Sequence, residues 1–134
     1  MATKKPPARL TQQRIERLYW RAGFGALPGE LAYLTRLGLP NAINALMKPK
    51  GAQLRNAAAP TVDGKPIDPV NEYGHDVLWW LDRAVRGRHP LVERMTLNWH
   101  DHFATSNDKV GDSQLMINQY FLIRKRALGT FRGL

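Results

Sequence analysis

From Thr11 onward the apolar residues recur three and four positions apart, the spacing that lines up one face of a helix. Thr11 can cap a helix that carries Ile15, Leu18, Tyr19 and Ala22 on one side, with Arg14, Arg17 and Arg21 similarly spaced beside them. Gly23-Phe24-Gly25 stops it. A second helix is expected from Pro28 to Leu37, with a first-turn proline, Glu30 near the positive end of the macrodipole and Gly38 just past the far end. Pro40 opens a third, carrying Ile43, Leu46 and Met47 until Pro49 forbids its continuation. Between Lys48 and Ile67 the period vanishes and alanine, glycine, proline and lysine take over. That stretch predicts a connector, long for a compact domain, as a mobile loop or a strip laid over the surface.

Asp68-Pro69 supplies a cap and a first-turn proline for a fourth helix, with Val70, Tyr73, Val77, Leu81 and Ala84 on one side and Trp79 and Trp80 widening it. Arg83, Arg86 and Arg88 fall in its last turn, where cations suit the negative end of the dipole. His89-Pro90 begins a fifth helix. At about 100° per residue, Leu91, Val92, Met95, Trp99, His102 and Phe103 share a side with Asn98 at its edge, while His100 lies about 200° from His102 beside Glu93 and Thr96. His102 is therefore expected in the core, its ring bonded to Asn98 or a backbone carbonyl. Ser113 caps a last helix through Arg126, with Met116, Tyr120, Ile123 and Ala127 in one strip, Ile117, Phe121 and Leu128 beside it, and Leu115 and Leu122 opposite. Such a helix calls for protein on both sides. Gly129 closes it, and Thr130 could cap a further helix at Phe131.

The expectation is all-α: an irregular bundle of about six helices with one long connector, the front part of a larger helical protein. Residues 1–10 read as a flexible basic tail, and residues 11–134 as a helical domain containing the connector 48–67.

Composition narrows the function classes. The chain has no cysteine, which removes disulfides, thiolate nucleophiles, zinc ribbons and iron–sulfur clusters. No apolar run reaches the length of a membrane span, and the opening residues lack a signal-peptide core. Without a visible leader the default placement is cytoplasmic. Lys and Arg number 20 against 11 Asp and Glu, for a net charge of +9, which predicts attraction to an acidic protein or another polyanion. Nucleic acid ranks low among these, because no recognition-helix pattern, stacking sheet or zinc module is present.

Two histidines, a tryptophan and an acid crowd together in Trp99-His-Asp-His-Phe103. Imidazoles beside a carboxylate can bind a metal or move protons near neutral pH, so His100, Asp101 and His102 are the catalytic candidates, and His100 and His102 the candidate ligands for a divalent metal. On a regular helix these two imidazoles diverge, and catalytic zinc normally takes three protein ligands. His75 is a weaker candidate. The anion-binding candidates are Arg21, Arg94, Arg124, Lys125 and Arg126. The first reading is thus a binding or assembly module that engages an acidic partner through a basic surface. The alternative is a metal- or histidine-assisted hydrolase at the histidine segment, with its remaining ligands in the rest of a longer chain.

Four blocks, Arg21-Ala-Gly-Phe-Gly25, His89-Pro-Leu-Val-Glu-Arg-Met95, Trp99-His-Asp-His-Phe-Ala-Thr-Ser106 and Ala127-Leu-Gly-Thr-Phe-Arg132, resemble in that order the amino-terminal region of the bacterial domain-of-unknown-function family numbered 1800. Asp101 stands where that family usually has asparagine, and Thr130 replaces another common asparagine. The resemblance implies a helical protein longer than this chain, from a family whose members often look exported and encoded beside sulfatase-like proteins. It implies no reaction.

Overall fold

The structure is a computed structural model that describes residues 8–55 and 58–134. The chain folds into two compact units, Met1–Gly51 and Ala52–Leu134, where the sequence predicts one helical domain. The division falls inside the expected connector.

The first unit holds α1 (Ala8–Ala22), α2 (Glu30–Leu37) and α3 (Leu39–Met47). Ala8, Arg9 and Leu10 are good helix formers and already belong to α1, which corrects the tail expected over residues 1–10; the remainder of that tail lies outside the described residues. Ile15 and Tyr19 of α1, Leu34 of α2, and Ala42 and Leu46 of α3 are the buried hydrophobic residues of this unit, and the three helices pack on one another. After α1 the chain turns back sharply, and the Gly25 N–H donates to the Tyr19 carbonyl at 3.2 Å. Gly25 has φ +96°, a left-handed backbone conformation that the turn obtains from glycine. Glu30 opens α2 and its carboxylate accepts the Leu27 N–H at 2.9 Å. In α3 the inward pair is Ala42 and Leu46; Ile43 and Met47 each lie one residue, about 100°, further round and are exposed.

The second unit begins with the supposed connector, which has structure of its own. Leu54 bridges Gly87, with the Arg55 N–H on the Arg86 carbonyl and the Arg88 N–H on the Gln53 carbonyl, each at 2.9 Å. Further on, β1 (Thr61–Val62) and β2 (Lys65–Pro66) form an antiparallel hairpin with Val62 opposite Lys65. Its two-residue turn is Asp63-Gly64, both at positive φ, 49° and 74°. An Asp-Gly pair suits that geometry because its backbone twist matches the strands.

The fourth helix starts later than the sequence predicts: α4 runs His75–Arg86. Asp68 does not cap it. Its Oδ1 accepts the N–H groups of Val70 and Asn71, at 3.2 and 3.1 Å, and holds residues 68–71 in a turn that competes with helix. The face is corrected too. Val70, Tyr73, Val77 and Leu81 are exposed, whereas Trp79 and Trp80 pack against Tyr120 with ring centroids 5.1 and 6.0 Å away. Indoles carry more buriable surface than the aliphatic stripe, and they set the rotation of the helix.

Then follow α5 (Pro90–Phe103), the short α6 (Asn107–Val110), α7 (Ser113–Arg126) and a 3-10 turn at Phe131–Gly133. Asp112, not Ser113, caps α7, its carboxylate accepting the Leu115 N–H at 3.0 Å. Ile117, Tyr120, Ile123 and Ala127 line the buried side of α7, while Leu115 and Leu122 face outward. The molecule is predominantly helical, and no helix among the described residues is long and apolar enough to cross a membrane.

Candidate functional site

The inward face of α5 carries polar side chains beside Val92. Glu93, Thr96 and His100 stand three and four residues apart and so share a side, as their spacing predicts. That side faces the protein interior. Glu93 is 2% exposed and Thr96 fully buried, whereas His102 and Phe103, expected in the core, are exposed. The burial assignment of the two histidines is thus reversed.

Pairing explains the reversal. Glu93 Oε2 accepts the Tyr120 hydroxyl at 2.5 Å, and Oε1 accepts Arg124 Nε at 2.8 Å with a second guanidinium nitrogen at 2.6 Å. A buried carboxylate is tolerable when a cation and a hydroxyl occupy its oxygens. The Thr96 hydroxyl donates to the Val92 carbonyl one turn back, at 2.8 Å. His100 rests on the Trp80 ring, centroid to centroid 4.7 Å. Each polar group on the face has a partner that the spacing of apolar residues does not reveal.

The surroundings sharpen this centre. The Tyr120 hydroxyl is held protonated well beyond the usual phenol range, first by burial and then by its bond to Glu93. The Arg83 guanidinium lies over the rings of Trp79 and Phe121, 4.6 and 5.2 Å from their centroids. A Cβ on Gly87 would come within 2.6 Å of the Arg83 carbonyl and 3.0 Å of Glu93 Cγ, so only glycine lets the α4–α5 junction pass so close.

Beside the buried acid opens a cleft of about 210 Å³, walled by α4, α5, α7 and the segment before α6. Val77, Trp79, Trp80, Met116 and Ile117 give it apolar walls, and Asp76, His100, Thr105 and Asn107 give it polar ones. Burial shifts the His100 pKa below the ordinary 6.5, against the opposing pull of Asp101, so the ring is neutral at pH 7.

The remaining sequence candidates are scattered. Asp101 is exposed, and His102 packs its ring near Trp99, Phe103 and Phe131. His100 and His102 do not converge, since α5 stays helical through Phe103. Among the described residues no group of three or more His, Asp or Glu side chains is placed to hold a metal. His75 Nδ1 accepts the Asp68 N–H at 3.0 Å, a local contact at the start of α4. Arg124 is engaged by Glu93, and Arg126 donates to the Gly133 carbonyl. Arg21, Arg94 and Lys125 are exposed.

The first unit carries most of the charge excess. Residues 1–51 contain nine Lys and Arg against two acids, while residues 52–134 contain eleven against nine. On α1, Arg14, Arg17 and Arg21 project away from Ile15 and Tyr19, and all three are exposed. Glu16, the only acid on that helix, lies about 160° round from Arg14 and about 100° from Arg17, and forms no ion pair with the stripe.

A predominantly helical protein with a buried carboxylate–tyrosine–arginine contact and an aromatic cleft beside it is the class that this geometry defines. The chain belongs to the family described as "Protein of unknown function (DUF1800)", whose model matches residues 17–134. That interval contains all four blocks of the resemblance. No curated protein and no solved structure matches the chain.

The residues that sequence reasoning missed are Glu93, Tyr120, Asp76, Trp80 and Asn107. One signal was present: a carboxylate on the same helical side as a threonine and a histidine, in a chain whose last helix carries an arginine one turn after a tyrosine.

Proposed function

We propose that the protein is a binding module that engages an acidic protein surface through the exposed arginine stripe of α1. The observation that carries this reading is the stripe itself: Arg14, Arg17 and Arg21 share one exposed face, and no carboxylate among the described residues pairs with them. Trp20, 62% exposed, lies next to Arg17 on the helix surface. Arginine and tryptophan together are the side chains that most often dominate a protein interface, because both bring large contact area and the guanidinium adds bidentate pairing to carboxylates. With about seven of the nine net charges in the first 51 residues, approach of an acidic partner is steered toward this unit.

Retention of the full chain on immobilised polyglutamate tests it. Binding is expected at low salt and should fall as ionic strength shortens the screening length. Combined reversal of Arg14→Glu, Arg17→Glu and Arg21→Glu should abolish it, while Arg132→Glu, a charge change of the same kind in the second unit, leaves most of it. Retention that ignores salt, or that survives the triple reversal, removes the reading.

A further inference from the structure

The cleft at His100 has a hydrogen-bond imbalance. Both amide hydrogens of Asn107 are used, one toward Asp76 Oδ2 at 3.2 Å and one toward Ser113 Oγ at 3.0 Å. This orientation is fixed by chemistry, because a carboxylate can only accept and the amide nitrogen must face it. Asn107 Oδ1 is then left buried without a donor. The Thr105 hydroxyl gives its hydrogen to Gln119 Oε1 at 2.6 Å, so its oxygen too is left as an acceptor. Asp76 Oδ1 takes the Val77 N–H at 2.9 Å, and each carboxylate oxygen keeps a further lone pair.

Among the residues lining the cleft the one full charge is the Asp76 carboxylate, and Asn107 Oδ1 and the Thr105 hydroxyl oxygen add spare acceptors beside it. His100 is neutral there and contributes a single N–H. Anions and pure acceptors are therefore poor occupants. The walls ask for something else as well: Trp79, Trp80, Val77, Met116 and Ile117 favour an apolar body, and indole faces attract cations. A cavity of about 150 Å³ holds benzene, so about 210 Å³ admits one six-membered ring with a short polar substituent.

From this accounting we propose that the cleft between α4, α5 and α7 is a binding site for a small organic cation, one ring-sized apolar body carrying an amidinium or primary ammonium. The cationic head meets the Asp76 carboxylate and Asn107 Oδ1, and the ring lies against Trp80 and Met116. The site is independent of the arginine stripe on α1, which has the opposite sign of charge.

Benzamidine is the probe, with benzoate as its match in shape and opposite in charge. Titrated at constant ionic strength against the tryptophan emission of the full-length chain, benzamidine should give a saturable change and benzoate none. Asp76→Asn should weaken benzamidine about tenfold or more, the loss expected when a charge-assisted bond is reduced to a neutral one. Asp63→Asn, in the hairpin turn outside the cleft, should leave binding unchanged. Val77→Trp provides a second route should Asp76→Asn fail to fold: Val77 is exposed at the mouth, so a larger side chain there closes the cleft without removing its charge. Benzoate binding as tightly as benzamidine, unaltered binding by Asp76→Asn or Val77→Trp, or no saturable response to benzamidine overturns the proposal.

Discussion

Tyr120 and Glu93, 27 residues apart in sequence, meet at 2.5 Å through a hydroxyl that donates to a carboxylate 2% exposed to solvent. The bond joins α5 to α7 at a point where Arg124 supplies the countercharge. Removing one member of such a set leaves another buried and unmatched. Glu93→Gln is expected to destabilise the second unit by about 3–5 kcal/mol, since it strands the Arg124 charge. Tyr120→Phe removes only one hydrogen bond to a charged acceptor and should cost about 1.5–3 kcal/mol. Urea denaturation followed by circular dichroism measures both, and a loss below about 1 kcal/mol for Glu93→Gln would contradict the buried pairing.

The tyrosines predict behaviour in alkali. Tyr19 is pushed up to about 12, first by burial and then by Glu30 and Tyr33, and Tyr120 is raised still further. Because the folded values lie above the ordinary 10.0, the unfolded chain releases its phenol protons first. The stability this confers is complete below pH 10 and is lost as pH rises through the folded values. Phenolate absorbance should therefore show two tyrosines titrating late, with unfolding accompanying them. Tyr19→Phe should remove the late step near pH 12.

His100 predicts the opposite limb. Burial against Trp80 lowers its pKa, with Asp101 opposing, while Asp76 and Tyr120 are the other titratable groups around the cleft. A folded state that resists protonation contributes stability above the ordinary value of 6.5, and that stability is lost as pH falls through the depressed folded value. The melting temperature of the second unit should drop between pH 7 and pH 5 more steeply in the wild type than in His100→Gln. Equal slopes in the two proteins would show that the ring is not held neutral by the fold.

Gly87 allows a backbone test. A methyl there meets the Arg83 carbonyl at 2.6 Å, and a carbonyl in the last turn of a helix has little freedom to retreat. Gly87→Ala should cost about 1–3 kcal/mol, the usual penalty of overpacking. It should also weaken the neighbouring bonds between Arg55 and Arg86 and between Arg88 and Gln53, which hydrogen exchange of the Arg55 and Arg88 amides reads directly.

The helices were legible because their punctuation is local: Pro40, Pro90, Gly38 and Gly129 each act through their own backbone, whereas α2 opens at Glu30, two residues after the expected Pro28. What sequence periodicity could not assign was the side of α5 that turns inward. Val92 and Met95 argued for one side, with Glu93 and Thr96 on its flank beside His100, and what turned the flank inward lay in Tyr120 and Arg124, which satisfy the acid from a helix 27 and 31 residues away. The late start of α4 was hidden differently. Asp68-Pro69 is a valid helix opening in isolation, and only the side-chain bonds of Asp68 to Val70 and Asn71 turn it into a loop. The Asp63-Gly64 turn could have been read, but the residues flanking it lack the alternation that usually accompanies a hairpin.

The four indoles are divided unequally: Trp20 stands alone in the first compact unit, 62% exposed, while Trp79, Trp80 and Trp99 are partly buried in the second. Their emission therefore encodes which half of the chain is opening. Excited together on a temperature ramp, the three shielded fluorophores should shift to the red as the second half loosens, and a Trp20→Phe chain isolates that signal. Comparing it with the helical signal of the whole molecule decides whether the halves melt as one cooperative block or in succession.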